Sequence, residues 1–272
     1  MSGSNKLPIV GLVPAAGQGR RLAPLPFSKE LYPVGFATDN GTVGSVKVAS
    51  QYLLESMRQA GVETAYVVLR TGKWDIPAYW ESGHRLGMTL AYTVMRRPYG
   101  TAFTLDDAYP FVRDRIVAMG FPDVLFEPAD AFKQMLARQD ESQADVVLGL
   151  FPASRPEKVD MVRLDGAGRP REIVIKPPES DLTYTWVCAV WRPQFTEYLH
   201  EYVGRIDSGN QEEGRRELHV GHAIQAALQE GLAVEAVRFP DGRTADIGTP
   251  DELLGTVQHE LHRATQSMAS AS

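Results

Sequence analysis

The sequence predicts an α/β protein built on a doubly wound sheet, and three observations predict it. Short apolar runs bounded by turn residues recur through the first half, helical stripes separate them, and a small-residue turn follows the first run directly. Segments 7–13, 64–69, 90–94, 115–119 and 145–151 are β-branched or apolar and of strand length. Between the first two, Val46, Ala49, Leu53, Met57 and Ala60 recur at three and four residues and stop at Gly61. Glycine suits the left-handed position after a helix, so this stripe reads as a helix that returns the chain for a parallel strand. Such alternation gathers ligands beyond the carboxyl ends of the strands.

The second half changes rhythm. Strands are expected at 161–164, 172–175, 184–191 and 233–239, with Asp165-Gly166-Ala167-Gly168 as a hairpin-like turn between the first two. Val220, Ile224, Ala227 and Leu228 form an apolar helix stripe before Gly231. Thr249-Pro250-Asp251-Glu252 is a capping box with proline at the first helical position, and it predicts a last helix whose buried face carries Leu253, Val257 and Leu261. That cap sets Asp246 in a tight loop just before a helix.

At 272 residues the chain can bury a full core, and one domain with two lobes is expected over 6–262. Residues 1–5 and 263–272 are small and polar and are expected to fray, the latter as a disordered tail. A net charge of −6 gives no basic footprint for a nucleic acid polymer, so a nucleotide ligand would be small and held in a local cationic pocket. The single cysteine, Cys188, lies in an apolar run and reads as a buried strand residue of a reducing compartment, not a catalytic thiol. No apolar stretch reaches about 18 residues and no charged-then-apolar leader opens the chain. A cytoplasmic protein with no membrane span is the expectation.

Residues 13–34 carry the chemistry. The first apolar run feeds a turn at Ala15, Ala16, Gly17 and Gly19, where missing side chains let backbone N–H groups crowd an anion. Arg20, Arg21 and then Lys29 follow at once, cations suited to a reaction in which charge builds on phosphate oxygens. The run is not a Walker A loop, and Leu22 stands where the dinucleotide fingerprint needs its third glycine. The competing reading is a tight strand-to-helix connection with solvated arginines.

Ala15-Ala16-Gly17-Gln18-Gly19-Arg20-Arg21-Leu22, followed by Ser28-Lys29-Glu30-Leu31-Tyr32-Pro33-Val34, resembles the signature of the sugar-1-phosphate nucleotidyltransferases, the NDP-sugar pyrophosphorylases. The likeness continues in order through Pro98-Tyr99-Gly100-Thr101-Ala102, Phe121-Pro122-Asp123-Val124-Leu125, Lys176-Pro177 and Asp246-Ile247-Gly248-Thr249-Pro250. The resemblance implies a Rossmann-like nucleotidyltransferase fold, with a central mixed, mostly parallel sheet flanked by helices and a smaller β-rich sugar-binding lobe. It implies a nucleotide-binding lobe over 6–120 and a sugar-phosphate-binding lobe over 121–262.

The resemblance also assigns roles. A nucleoside monophosphate, from UTP or dTTP by preference, would pass from a nucleoside triphosphate to a sugar 1-phosphate or sugar-like phosphate, releasing pyrophosphate. Arg21, Lys29 and Asp123 would be catalytic, with Arg20 and Gly100 joining the small-residue turn in nucleotide binding. Asp123 and Asp246 would hold Mg²⁺, and Lys176 would reach the sugar phosphate. Three departures stand out. Residue 175 is Ile where the family writes the Glu of Glu-Lys-Pro, so ordinary glucose 1-phosphate is in doubt as acceptor. Val124 follows Asp123 where the thymidylyltransferase branch has Asn. Met95 or Arg96 stands near the position of a base-reading Gln. A cytidylyltransferase of a non-carbohydrate phosphate and a non-catalytic nucleotide-binding regulator are the rival readings, and homo-oligomers are allowed by analogy alone.

Two further features stay outside that scheme. His219-x-x-His222 and His259-x-x-His262 lie at helical spacing without Cys or Glu partners and are expected to face solvent. Trp74, Tyr79 and Trp80 either roof the substrate pocket or pack a lobe interface.

Overall fold

Alternate residues of the first strand, β1 (Ile9–Ala15), divide between two cores: Val10 and Leu12 enter one, Val13 and Ala15 the other. That division is what a sheet covered by helices on both faces requires. The computed structural model describes residues 7–39, 42–209 and 217–271. An antiparallel hairpin, β2 (Pro33–Asp39) and β3 (Thr42–Val48), precedes α1 (Ala49–Gln59). The stripe that predicted this helix begins at Val46, three residues before the helix does. Val46 belongs to β3 and is 48% exposed, since its β-branched neighbours Val43 and Val48 favour the extended chain.

β4 (Thr64–Leu69), α2 (Asp75–Trp80), β5 (Thr89–Val94), α3 (Thr101–Asp106), α4 (Tyr109–Val112) and β6 (Ile116–Gly120) complete the first half. β1 pairs in parallel with β4 and β6, and β4 with β5. After β7 (Val124–Glu127) and α5 (Ala131–Ser142) come β8 (Val146–Pro152), the hairpin of β9 (Met161–Leu164) and β10 (Pro170–Val174), and β11 (Tyr184–Trp191). Helices α6 (Pro193–Gly209) and α7 (Val220–Gln229), strands β12 (Val234–Arg238) and β13 (Arg243–Asp246), and α8 (Pro250–Ala271) close the chain. The nine-stranded central sheet is mixed and mostly parallel, with β8, β11 and β12 continuing it. The expected lobe boundary at 120 therefore falls inside one continuous sheet.

One strand opens the site. Along a single edge of β11, Cys188–Trp191 pair with β6, whereas Tyr184 and Thr185 pair with β9. A register shift falls between Trp186 and Cys188 on the opposite edge. The two neighbours part where β6 ends, and the cleft between them is the floor of the site. A second device is the two-stranded ribbon of β7 and β13, which sets Asp246 opposite Val124 while the Ile247 amide donates to the Asp123 carbonyl at 3.1 Å.

The carboxyl end departs from expectation. Residues 263–271 continue α8 instead of fraying, because Ala, Met and Gln favour helix and Arg263 pairs with Glu127 of β7. Leu261 is 46% exposed; Leu253 and Val257 pack beside Val34 and Ile247, with Thr256 and Glu260 completing the buried side. The Glu252 amide donates to Thr249 Oγ1 at 3.4 Å, one half of the expected capping box, and the Thr249 hydroxyl donates to the Glu252 carboxylate at 2.7 Å. Trp80 is a core residue whose indole donates to Ser50 at 3.1 Å, and Trp74 is 55% exposed. Residues 1–5, expected to fray, lie outside the described residues, among which no helix is long and apolar enough to cross a membrane.

Gly100 caps α3 with φ +113°, and a Cβ there would collide with the Leu218 backbone, 2.6 Å from its nitrogen. Both strain and overlap forbid a side chain. Gly100→Ala is expected to lose roughly 2–4 kcal/mol in urea unfolding. Gly166→Ala, where a Cβ would meet nothing within 4 Å, should unfold at nearly the parent concentration.

Candidate active site

The turn after β1 does not open an α-helix; a single 3₁₀ turn, Arg20–Leu22, follows Gly19, whose φ of +64° reverses the chain. Lys29 lies across this loop. Its aliphatic stem runs 3.8 Å from where a Cβ on Gly17 would sit and 3.9 Å from that of Gly19, so the glycines make room for the lysine as much as for a ligand. Ser28 fixes its approach, with its amide and hydroxyl donating to Asp75 at 2.5 and 2.7 Å.

Two cavities meet at this lysine. The first, of about 470 Å³, is lined by Pro14, Ala16, Gly17, Gln18, Gly19, Arg20, Arg21 and Lys29 on one side and by Met95, Tyr99, Gly100, Thr101 and Thr104 on the other. The second, of about 360 Å³, shares Gly17, Arg21, Lys29 and Thr101 with it and adds Asp123, Asp246, Lys158, Asp160, Lys176, Trp186 and His219. Ala15 is not in either wall; it is buried in the core beneath the loop. Between the two candidates for base contact, Met95 lines the first cavity and Arg96 turns out to pair with Asp107. Gly100 lines it too, but the side a Cβ would occupy belongs to Leu218.

Charges alternate through the junction. Lys29 forms an ion pair with Asp123, and Asp246 stands beside both. Behind them Lys73 pairs with Glu30 at 2.5 Å, their side chains only 7% and 2% exposed. Burial works to lower the Lys29 ammonium, but Asp123 first, then Glu30 and Asp246, outweigh it and hold its pKa up. The Asp246 carboxyl is raised by burial and then by the charge of Asp123, against the pull of Lys29. Burial raises Glu30 and lowers Lys73, each opposed by the other's charge. Arg21 reaches the same point: a Cβ on Gly248 would lie 2.7 Å from both its guanidinium and an Asp246 oxygen. Arg20 is exposed on the loop. Among the described residues no group of three or more His, Cys, Asp or Glu is gathered to cage a metal, so Asp123 and Asp246 stand as an open carboxylate pair.

On the far wall Lys176 has φ +42°, a strained value for a residue with a side chain, and its ammonium lies 3.4 Å from His219 Nε2. Residue 175 behaves otherwise. Ile175 packs against the core, its Cδ1 2.9 Å from the Cβ position of Gly221 in α7. His219 and His222 are half-buried, not simply solvent-facing: their rings stack at 5.7 Å, and they cap α7 through the His219 amide and His222 Nδ1 at 3.2 Å. Burial and the Lys176 charge push the His219 pKa down. His259 and His262 are exposed as expected. Glu30, Lys73, Asp160 and Glu217 carry no motif that a single sequence reveals; only Glu30, inside Ser-Lys-Glu, had a signal at all.

The buried pair sets an expectation for stability. Lys73→Met strands the Glu30 carboxylate and should cost about 3–5 kcal/mol in urea unfolding at neutral pH. Glu30 in that variant holds its proton more tightly folded than unfolded, so the loss shrinks as pH falls below the folded pKa. Adding Glu30→Leu should recover most of it.

The family model described as nucleotidyl transferase matches residues 10–263. The chain is similar to the glucose-1-phosphate thymidylyltransferase of Streptomyces griseus, at 26% identity over 249 residues, covering 89% of this chain and 63% of that protein. The chain thus spans under two thirds of that relative's length. Among solved structures, it is similar to a Bacillus anthracis protein described as a candidate glucose-1-phosphate thymidylyltransferase, in complex with sucrose, with TM-score 0.77, 19% identity, and coverage of 93% of this chain and 95% of that one. It is likewise similar to a UDP-glucose pyrophosphorylase from Acinetobacter baumannii, with TM-score 0.76, 20% identity and 97% of each chain covered. These likenesses support the Rossmann-like nucleotidyltransferase architecture, and with a family match over nearly its whole length the chain belongs to the nucleotidyl transferases.

Proposed function

We propose that this protein is a Mg²⁺-dependent sugar-1-phosphate nucleotidyltransferase of the cytoplasm. It would transfer a nucleoside monophosphate from a nucleoside triphosphate, UTP or dTTP by preference, to a sugar 1-phosphate or sugar-like phosphate, forming an NDP-sugar and releasing pyrophosphate. The observation that carries the reading is the junction: Lys29, laid over the glycine loop and paired with Asp123 beside Asp246, is shared by two cavities. A reaction between two phosphates needs such a meeting point, with one substrate in each cavity.

The first cavity takes the triphosphate. Its small-residue loop leaves backbone amides approachable, Arg20 and Arg21 supply charge, and the apolar wall of Met95 and Tyr99 suits a base. The second takes the acceptor, whose phosphate oxygen attacks the α-phosphorus while Lys176 offsets the acceptor's own charge. Lys29 faces the α-phosphate and stabilises the charge that gathers there. Its raised pKa keeps it cationic across the physiological range. Asp123 and Asp246 fit Mg²⁺, which typically takes one or two carboxylates and fills its shell with water and phosphate oxygens. Bound there, the ion would neutralise phosphate charge and orient the triphosphate. The mutual repulsion that raises Asp246 is relieved by a divalent cation.

Pyrophosphate release with each common triphosphate against hexose, cyclitol and choline phosphates, with and without Mg²⁺, tests the reading. Turnover with a sugar phosphate is expected; triphosphate binding without turnover on any acceptor would point to a regulator. Lys29→Ala is expected to lower kcat by roughly 10²–10³-fold while near-ultraviolet circular dichroism stays native. Asp123→Asn should abolish turnover while near-ultraviolet circular dichroism stays native; near-parent rates would remove Asp123 from the metal role.

A further inference from the structure

One wall of the first cavity comes from a segment that the sheet cannot hold. β5 is an edge strand of the central sheet, and its ladder ends where the Met95 amide donates to the Leu69 carbonyl at 2.7 Å. Met95, Pro98, Tyr99 and Gly100 of the segment that follows line the cavity. Arg96 and Arg97, between them, do not; their charges turn to the helices behind. The Arg96 amide and Nε both donate to Asp107, at 2.8 and 3.0 Å. The Arg97 guanidinium donates to Asp207 of α6 at 2.6 Å and to Asp106 of α3 at 3.3 Å, and it lies 5.1 Å from the centre of the Phe103 ring. Asp106 and Phe103 are buried, and His200 Nδ1 meets Asp106 at 2.7 Å on its other oxygen. The Arg96 side chain is 75% exposed, so its ion pair is worth little; that of Arg97, 26% exposed and forked between two carboxylates, is the firmer anchor. Beyond Arg97 the backbone takes over, with the Leu218 amide donating to the Tyr99 carbonyl at 2.8 Å and the Ala102 amide to the Leu218 carbonyl at 3.0 Å.

We propose that Arg97 is a positioning residue for the nucleobase: by tying its segment to α3 and α6, it fixes the wall that carries Met95 and Pro98 and keeps its own charge out of the cavity. This rests on the transferase reading above. The first cavity is then divided. Arg20, Arg21 and Lys29 stand on the glycine-loop side, and Met95, Pro98, Tyr99, Gly100, Thr101 and Thr104 bring no charged side chain to the other. A nucleoside triphosphate has the same division, since its phosphates seek the cations and its uncharged base suits the opposite wall. A wall fixed in advance saves the cost of ordering it when the ligand binds. Freed of its two carboxylates, the Arg97 segment would have to be ordered by the base itself. The phosphate end is anchored separately, through Ser28 on Asp75 and Lys29 on Asp123.

The test is calorimetric binding of UTP, dTTP and inorganic tripolyphosphate, which has no base, to the full-length protein with Mg²⁺. In Arg97→Met the Kd of UTP and dTTP is expected to rise about fivefold or more, while that of tripolyphosphate stays within about twofold of parent. A damaged fold would weaken all three alike. Arg97→Lys keeps the charge but has no fork to meet both carboxylates, so it should fall between parent and Arg97→Met. Asp207→Asn should weaken the nucleotides by less than Arg97→Met, and adding it to Arg97→Met should cost little more, since the two act through one contact. If Arg97→Met melts early, Arg97→Lys and Asp207→Asn are judged on the same constants. Nucleotide Kd unchanged in both Arg97 variants, tripolyphosphate weakened as much as the nucleotides, fully additive losses in the double variant, or a parent that binds neither nucleotide would overturn the proposal. Turnover is a separate readout. A parent that binds nucleotide but uses no acceptor fails the transferase reading alone, whereas active variants with parent-like nucleotide Kd fail the role of Arg97 alone.

Discussion

The contact between Lys29 and Asp123 is the constraint on which the rest depends. It ties the glycine loop after β1 to the end of β6, two segments 94 residues apart in sequence. Neither charge could stand alone there: a buried ammonium without a carboxylate would shed its proton, and a buried carboxylate would take one up. With Asp246 added from β13, Arg21 reaching the same point and the Glu30–Lys73 pair behind, three cations face three carboxylates, and the Asp123–Asp246 pair lies where the second cavity opens. Asp123 and Asp246 repel each other, and a divalent cation between them would relieve that repulsion.

Sheet topology makes this arrangement affordable in space. A fully paired sheet would fill the region beyond β6 with ladder hydrogen bonds and leave no cavity. By giving one half of an edge to β6 and the other to β9, β11 keeps its own backbone paired at both ends while opening a cleft between them. The hairpin of β9 and β10 then carries Asp160 and Lys176 to the far wall at its two ends, and the cap of α7 brings His219. The far wall of the second cavity so comes from a region of the fold separate from the glycine loop, which allows that wall to vary without disturbing the loop.

Most of the sheet was legible in the sequence, because apolar runs of strand length bounded by turn residues have few alternatives. Segments 64–69, 161–164 and 184–191 coincide with β4, β9 and β11. The β2–β3 hairpin was not legible: its apolar residues also satisfy a helical spacing, and nothing local decides between the two until Tyr32 and Ala49 close their backbone bond at 3.0 Å. The tail failed for the opposite reason, since small polar residues that look unstructured are also good helix formers once Arg263 anchors them. In the site, Arg21, Lys29, Asp123 and Asp246 were found through their motifs and are brought together. Asp160, Lys73 and the burial of His219 were hidden because each depends on a partner distant in sequence.

Several departures from local good order line the two cavities, while others, the left-handed Glu81 and Gln143 among them, lie outside both. Glu30 Oε2 and Asp160 Oδ1 lack partners, Lys176 holds a left-handed backbone, and Asp246 is crowded by Asp123. The frame around them is regular: alternate residues of β1 divide between two cores on either side of the sheet, and the Glu252 amide donates to Thr249 Oγ1 at the start of α8. A protein selected for stability alone would relax such features, since each raises the energy of the folded state. On a cavity wall such features suit a ligand, whose binding restores what folding leaves unsatisfied.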